Sequence, residues 1–414
     1  MRMSTDPLAQ DHAAPRRWLS IVGVGEDGIE GLSAAARALI SGAEFVFGGK
    51  RHLALVAPLV KREARPWPSP FSVDEVLAQR GRNVCVLASG DPFWYGVGVR
   101  LAEQVAIDEM LALPVPSAFS LAAARLGWPM QWTKLLSLHA RAVEMLRPHL
   151  QPEARVISLT SDGSAPAAIA RLLAETGFGS SRFIVLESLG GPRERIRTCA
   201  ARDFDRTDVD PLNTIAIEVV AEPGARVIPR AAGLPDTMFE HDGQITKREI
   251  RAITLSSLSP RRGEMLWDVG AGAGSITIEW MLADPRMQAV AIEARADRVA
   301  RIYRNAAALG VPGIAVREGT APAVLPSRVT PDAVFIGGGA ADPGVLDACI
   351  SALRSGGRLV VNAVTLETEA LLIARHAAMG GELTRLSVER AKPLGTMVAW
   401  QPALPVTQWV WVKP

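Results

Sequence analysis

The sequence predicts an α/β protein made of two successive units, and three observations carry that expectation. From Trp18 to Val220, short runs rich in Val, Ile and Leu alternate with Ala-, Leu- and Arg-rich segments of helical character. Around Glu222–Gln244 the rhythm lapses under Pro223, Gly224, Pro229, Gly233 and Pro235, and beyond it the alternation restarts. Each half also carries a glycine-rich turn between an apolar strand and a helix start. Apolar runs without a polar face belong in sheets covered on both sides, the arrangement of layered α/β folds. A chain of 414 residues with 48% hydrophobic content holds enough apolar side chains for more than one core.

The first unit is expected over 16–221, after a disordered tail at 1–15. Its strand candidates are "WLSIVGVG", "EFVFGG", "NVCVLASG", "ARVISLT", "RFIVLES" and "NTIAIEVVA". The run "ERIRTCA" shortly before the last of these leaves room for antiparallel strands there. Residues 222–242 read as a linker, because prolines and glycines interrupt both the helical and the strand period. The second unit is expected over 243–414. It opens with a helix from Thr246, then strand "EMLWDVG", a helix after Ser275, strand "QAVAIEA" and a helix through Tyr303 and Asn305. Strands "GIAVREG" and "DAVFIGG" follow, then a helix ending near Leu353, strand "GRLVVNAV", and two last strands in "ELTRLSVER" and "GTMVAWQ". That order is a Rossmann-like domain of ordinary size.

Charge and cysteine usage exclude several classes. Lys+Arg is 45 against Asp+Glu 43, a net charge of +2, and aromatic residues are 5%. A basic stripe with interleaved aromatics, the footprint of nucleic acid binding, is therefore not expected. Only six lysines accompany the arginines. Arginine grips carboxylates with a fixed fork and suits a polycarboxylate substrate, although a general bias toward Arg and Ala accounts for the same count. Cys85, Cys199 and Cys349 are scattered in apolar stretches, which reads as buried thiols in a reducing compartment. Neither they nor the histidines share metal-ligand spacing, so no metal is assigned. The first residues, with acids and prolines, do not form an apolar export signal, and the uncharged tract Pro393–Val412 contains Pro402 and Pro405 and reads as strands. A cytoplasmic protein without a membrane partner is expected.

Residues 268–275, "DVGAGAGS", raise the question of which nucleotide-like molecule the second loop holds. Gly270, Gly272 and Gly274 give G-x-G-x-G, with Ser275 where a dinucleotide fingerprint places its third glycine, and no Gly-Lys-Ser/Thr follows. A cosubstrate with an adenosine but no phosphate fits. S-adenosylmethionine lies against small residues while helix amides face its carboxylate, and Glu293, closing the next strand, takes the ribose hydroxyls. By itself such a loop is also compatible with an ordinary strand-to-helix turn.

The stretch "GQITKREIRAITLSSLSPRRGEMLWDVGAGAGSITIEW", followed by "AIEA", "REGTAP", "DAVFIGGG" and "GGRLVVNAVTLET", resembles the decarboxylating tetrapyrrole methyltransferases of cobalamin biosynthesis over 243–414. The resemblance implies a class I methyltransferase fold in which Thr246, Gly270, Ala271, Gly272, Ala273, Gly274 and Glu293, with the turn Gly319, Thr320 and Ala321, line the S-adenosylmethionine site. "IGGG" at Ile336–Gly339 stands where amino-directed methyltransferases carry Asn-Pro-Pro-aromatic, which argues against transfer to nitrogen.

"IVGVGEDGIEGLS" at Ile21–Ser33 satisfies G-x-G-x-x-G through Gly23, Gly25 and Gly28, so a nicotinamide dehydrogenase is one reading of the first loop. Glu26 and Asp27 crowd that turn with negative charge, unfavourable for a pyrophosphate. With "ASGDPFWYGVG" (Ala88–Gly98) and "VPSAFSLAAARLGWP" (Val115–Pro129), the loop resembles the tetrapyrrole methylase superfamily over 16–221. The resemblance implies a two-subdomain fold with S-adenosylmethionine in the cleft, near Gly90, Asp91, Pro92, Ser117, Ala118 and Ser120, and Gly23–Gly28 facing the macrocycle. Phe119 stands where a second serine is frequent, and Gly25-Glu26-Asp27-Gly28 replaces the common Gly-Pro-Gly.

Together the two resemblances imply a fused enzyme, each half with its own donor site. The first half would methylate a precorrin at position 5, the second at position 15 with loss of the ring C acetate carboxyl, in a homo-oligomer. Glu240, His241 and Asp242 at the domain entry and Glu279 in the helix after the loop are candidate proton carriers, each also readable as a cap or a solvated side chain. A nucleic acid methyltransferase, the dehydrogenase, and a half that merely binds the intermediate remain the competing classes.

Overall fold

The computed structural model describes residues 17–414, and the tail expected at 1–15 lies outside the described residues. The chain divides into two units, residues 17–141 with Pro152–Ala225, and Ala142–Gln151 with Arg226–Pro414.

The first unit holds two sheets. Strands β1 (Leu19–Val24), β2 (Phe45–Gly48), β3 (Glu63–Pro66), β4 (Val84–Ser89) and β5 (Met110–Leu113) form a parallel sheet in the order β3-β2-β4-β1-β5. From β1 the chain runs over β4 to β2, and from β4 it runs over β1 to β5. Right-handed crossovers send these two connections to opposite faces, so the carboxyl ends of β1 and β4 flank a switch point, where open α/β sheets bind ligands. Strands β6 (Thr133–Ser137), β7 (Arg155–Leu159), β8 (Arg182–Glu187), β9 (Arg195–Ala200) and β10 (Asn213–Glu218) form the second sheet, ordered β6-β7-β10-β8-β9. Here only β6 and β7 are parallel. The antiparallel strands fall where "ERIRTCA" and "NTIAIEVVA" leave room for them, although both runs pair with β8 rather than with each other.

The second unit contains β11 (Met265–Val269), β12 (Gln288–Glu293), β13 (Ala315–Glu318), β14 (Ala333–Ile336), β15 (Arg358–Ala363), β16 (Glu382–Leu386), β17 (Glu389–Leu394), β18 (Met397–Pro402) and β19 (Val406–Val412). Seven of them make one sheet, β13-β12-β11-β14-β15-β19-β16, parallel from β13 to β15 and antiparallel at β19 and β16. The period of two sorts its core. Trp267, Val269, Leu359 and Val361 face one layer with Leu346, Cys349 and Leu372, while Leu266, Phe335 and Val360 face Leu255, Ile276 and Trp280. "ELTRLSVER" divides between β16 and the start of β17, which pairs with β18 as a separate hairpin. The helix Leu366–Met379, N-capped by Thr365, stands where the sequence pattern gives no element.

Residues 226–242 carry little regular structure but are not a bare tether. Ile228, Leu234 and Phe239 are buried among Ile278, Ile302 and Ala306, inside the core of the second unit. Irregular backbone at this depth needs partners for its polar groups. Buried Glu279 accepts from the amides of Gly233 (2.6 Å) and Leu234 (3.0 Å), and Arg251 donates to the Leu234 carbonyl.

Candidate active site

At the carboxyl end of the second unit's sheet, β11 and β14 send their chains to opposite sides, and a cavity of about 780 Å³ opens at that switch point. Its floor is the loop after β11. The amides of Gly270 and Ala271 donate to the Ile292 carbonyl at 3.0 Å, and the amide of Gly272 donates to Glu293 Oε2 at 2.8 Å. Glu293 Oε1 accepts from the Arg295 amide at 3.0 Å, so this carboxylate is buried and oriented by two backbone donors while each oxygen keeps a second acceptor site. Gly272 has φ +59°, a conformation costly for a branched residue.

The structure brings Thr246, Gly270, Ala271, Gly272, Ala273, Glu293, Gly319, Thr320 and Ala321 to one cavity wall. Gly274 is not on that wall. A Cβ there would meet Ile302 at 3.0 Å, so this glycine serves the close approach of the helix Ala296–Ala308. Gly337, Gly338 and Gly339, from the "IGGG" run, line the side facing the loop.

Asp268, the last polar residue of β11, also lines the cavity. Its Oδ2 accepts from the Thr277 hydroxyl at 2.5 Å, whereas its buried Oδ1 has no partner among the described residues. Burial pushes this carboxyl up to about 6, with the charge of Glu293 adding to the rise and the Thr277 bonds opposing it. An acid inside an otherwise apolar strand, directly before a glycine loop, is a sequence signal that the motif reading passes over.

In the first unit the switch point joins three loops. The Gly90 amide donates to the Val24 carbonyl (3.2 Å) and the Val115 amide to the Gly90 carbonyl (3.2 Å), and a Cβ on Gly23 would lie 2.0 Å from that carbonyl oxygen. Asp91 Oδ1 accepts from the Phe93 amide at 2.8 Å, and the Pro92 carbonyl from the Gly98 amide at 2.9 Å. Ser117 caps the helix Ala118–Leu126, accepting from the Ser120 amide, with its hydroxyl 3.0 Å from that of Ser120. Phe119 is buried, and Trp94 and Tyr95 pack against it while remaining about half exposed. Glu26 forms an ion pair with Arg51, whose Nη2 donates to Ser89 Oγ at 3.0 Å. Burial first, and then the positive charge of the neighbouring Arg51, together push the His52 imidazole down to about 4, so His52 is neutral at pH 7.

Two family matches cover most of the chain, the tetrapyrrole (corrin/porphyrin) methylases over 19–205 and the precorrin methyltransferase domain over 237–413. A Sinorhizobium protein named precorrin-6Y C(5,15)-methyltransferase [decarboxylating] is 56% identical, over 96% of this chain and 96% of its own. The chain belongs to the precorrin-6Y C(5,15)-methyltransferase (decarboxylating) family. The Mycobacterium tuberculosis member is 42% identical over 94% of this chain and 98% of its own. A crystal structure of the C-terminal domain of precorrin-6Y C5,15-methyltransferase from Rhodobacter capsulatus is 45% identical, covering 45% of this chain and all (100%) of that one, with a TM-score of 0.43. The fold class of the precorrin-6Y C(5,15)-methyltransferase family is the one expected from the sequence, a tetrapyrrole methylase fold followed by a Rossmann-like methyltransferase. Neither a nucleic acid methyltransferase nor a nicotinamide dehydrogenase finds support among these relatives.

The four candidate proton carriers are not brought to the cavity wall of this precorrin-6Y C(5,15)-methyltransferase family member. Glu240 forms a two-pronged pair with Arg304 (2.7 and 2.6 Å). His241 Nδ1 accepts from the Gly243 amide at 3.0 Å. Asp242 is held far below the ordinary carboxylate range by the Gln244 amide and by Arg298 and Arg301. Glu279 pairs with the fully buried Arg251 at 2.5 Å and so ties residues 233–234 to the helix Arg248–Leu258. Removing one partner of a buried pair leaves the other uncompensated. Glu279→Gln is therefore expected to lower stability by about 3 kcal/mol in urea unfolding. Unchanged stability with lost turnover would instead mark Glu279 as a chemical participant.

Proposed function

We propose that the second unit methylates a precorrin at C15 and removes carbon dioxide from its ring C acetate, while the first unit methylates C5. S-adenosylmethionine is the methyl donor of this family, and its sulfonium supplies an electrophilic methyl group to an electron-rich ring carbon. The observation that carries the assignment of the second site is the pair of buried carboxylates, Asp268 and Glu293, on either side of the Gly270–Gly274 loop. Two acids at one loop repel a pyrophosphate and favour a molecule with positive charge and hydroxyl donors. Glu293 has acceptor capacity for the ribose hydroxyls, and the free Oδ1 of Asp268 suits an ammonium N–H. In the first unit, Gly90, Asp91 and Pro92 with Ser117, Ala118 and Ser120 are the expected donor contacts, and the backbone approach at Gly23 and Gly90 sets the floor of that cleft.

Methyl transfer consumes charge in its transition state, so alignment in a dry site is the main requirement. The apolar Ile276, Ile292, Phe335 and Val345 on the cavity wall meet it. Loss of carbon dioxide leaves electrons that the conjugated macrocycle itself accepts. A homo-oligomer acting in the cytoplasm without a nucleic acid partner is expected. Among the described residues no helix is long and apolar enough to cross a membrane. Incubating the full chain with precorrin-6B and isotope-labelled donor, then weighing the product, tests the assignment. Two methyl groups gained and one carboxyl lost support it, and an unaltered tetrapyrrole refutes it.

A further inference from the structure

The second unit's cavity carries charge of both signs: the acids Asp268 and Glu293 sit at the glycine loop, Glu249 and Asp342 lie elsewhere on its wall, and the cations Lys247, Arg298 and Arg390 line it as well. Arg298 is engaged by Asp242 and Gln244. Lys247 forms no ion pair with a carboxylate among the described residues, and its Nζ reaches the Gly243 carbonyl at 3.3 Å. Arg390 lies on the hairpin β17–β18 and meets Glu249, from the helix Arg248–Leu258, in a pair whose side chains are 38% and 44% exposed. The residues flanking that hairpin, Val388 and Leu404, belong to the same wall. Leu404 is 74% exposed, and Val364, also on the wall at the end of β15, is 58% exposed.

Exposed aliphatic side chains set among cations match a flat apolar ring with carboxylates on its edge. On the function proposed above, we infer that the hairpin β17–β18 is the acceptor-binding arm of the second site. Arg390 takes a carboxylate of the tetrapyrrole in exchange for Glu249, and Leu404 and Val364 carry the face of the ring. An ion pair as exposed as Arg390–Glu249 contributes little, so the exchange is inexpensive, and arginine's planar fork suits either carboxylate.

The full-length chain provides the test, with Arg390→Gln and Glu249→Gln compared with the unaltered protein. Steady-state KM for the tetrapyrrole in the C15 methylation is followed by product mass, and donor affinity by calorimetry. Arg390→Gln is expected to raise that KM about tenfold, the scale of one charge-assisted hydrogen bond, with donor affinity unchanged within about twofold. Glu249→Gln is expected to lower the same KM, because it frees Arg390. A KM for Arg390→Gln within about twofold of the unaltered protein, while the donor still binds, overturns the inference alone. So does a rise in KM for both variants, which would mark the pair as a structural tie, or a loss of donor affinity in Arg390→Gln. An unaltered protein that binds donor but turns over no tetrapyrrole overturns the proposed function and the arm with it.

Discussion

Gly272→Val is expected to reduce the number of S-adenosylmethionine sites on the full chain from two to one. Gly272 adopts φ +59°, and the nearest atom to a Cβ there is the Gln244 carbonyl oxygen at 3.7 Å. The fold thus has room for a side chain, but that room is between two residues of the cavity wall. A β-branched residue would pay a conformational cost on the order of 1–3 kcal/mol and project its methyl groups into the donor's place. Affinity at the second site should fall by at least about 100-fold, while the first unit's site is untouched. Calorimetric stoichiometry reads the difference directly. Gly274→Ala is the control, since its Cβ meets Ile302 and not the cavity. It should cost stability while leaving two sites. Retention of both sites in Gly272→Val would remove the loop from the donor site.

Donor affinity at the second site should rise with pH and level off above about 6. In the free protein burial holds the Asp268 carboxyl at about 6, so it is largely protonated at pH 5 and ionised at pH 8. A cationic donor beside Oδ1 favours the ionised form and lowers this value on binding, so binding releases a proton between the two values. Affinity should be about tenfold weaker at pH 5 than at pH 8. Asp268→Asn should flatten the profile and weaken binding at pH 8. Its effect on the free protein has the opposite sign. A carboxyl whose folded value lies above its unfolded value of 3.8 loses stability as pH rises from about 4 through about 6. Above that range the Asn variant should be more stable than the original by on the order of 3 kcal/mol. A pH-independent affinity in the original protein would separate Asp268 from the donor.

The parts of the site legible in the sequence are those built from contiguous signals. "DVGAGAGS" falls at the end of β11, and Glu293 closes β12 with its carboxylate on the loop amide, because a strand's period and its terminal turn are both local patterns. The far wall is different. Val388, Arg390 and Leu404 reach the cavity only because the chain folds back after β15, and nothing near them in sequence points to it. Residues 222–242 show a second limit. Prolines and glycines there read as a linker, yet Ile228, Leu234 and Phe239 are in the core. Periodicity reveals apolar side chains only when regular backbone repeats them, and here Glu279 and Arg251 provide the hydrogen bonds that a helix or strand would otherwise supply. The same two residues explain why Glu279 attracts attention in the sequence. A charged residue in the apolar helix after the loop is conspicuous, and the charge is answered inside the core.

Strand β19 lies between β15 and β16, although it follows β16 by some twenty residues in sequence. During synthesis on the ribosome, β16 would therefore emerge before the only neighbour it has in the sheet, and the edge of β15 would stay open until residues 406–412 arrive. The parallel half of the sheet can zip as it is made, but the seam must wait for the late strand to slide in. A nascent chain stalled before residue 406 would carry two unsatisfied strand edges, an invitation to chaperones and to aggregation alike.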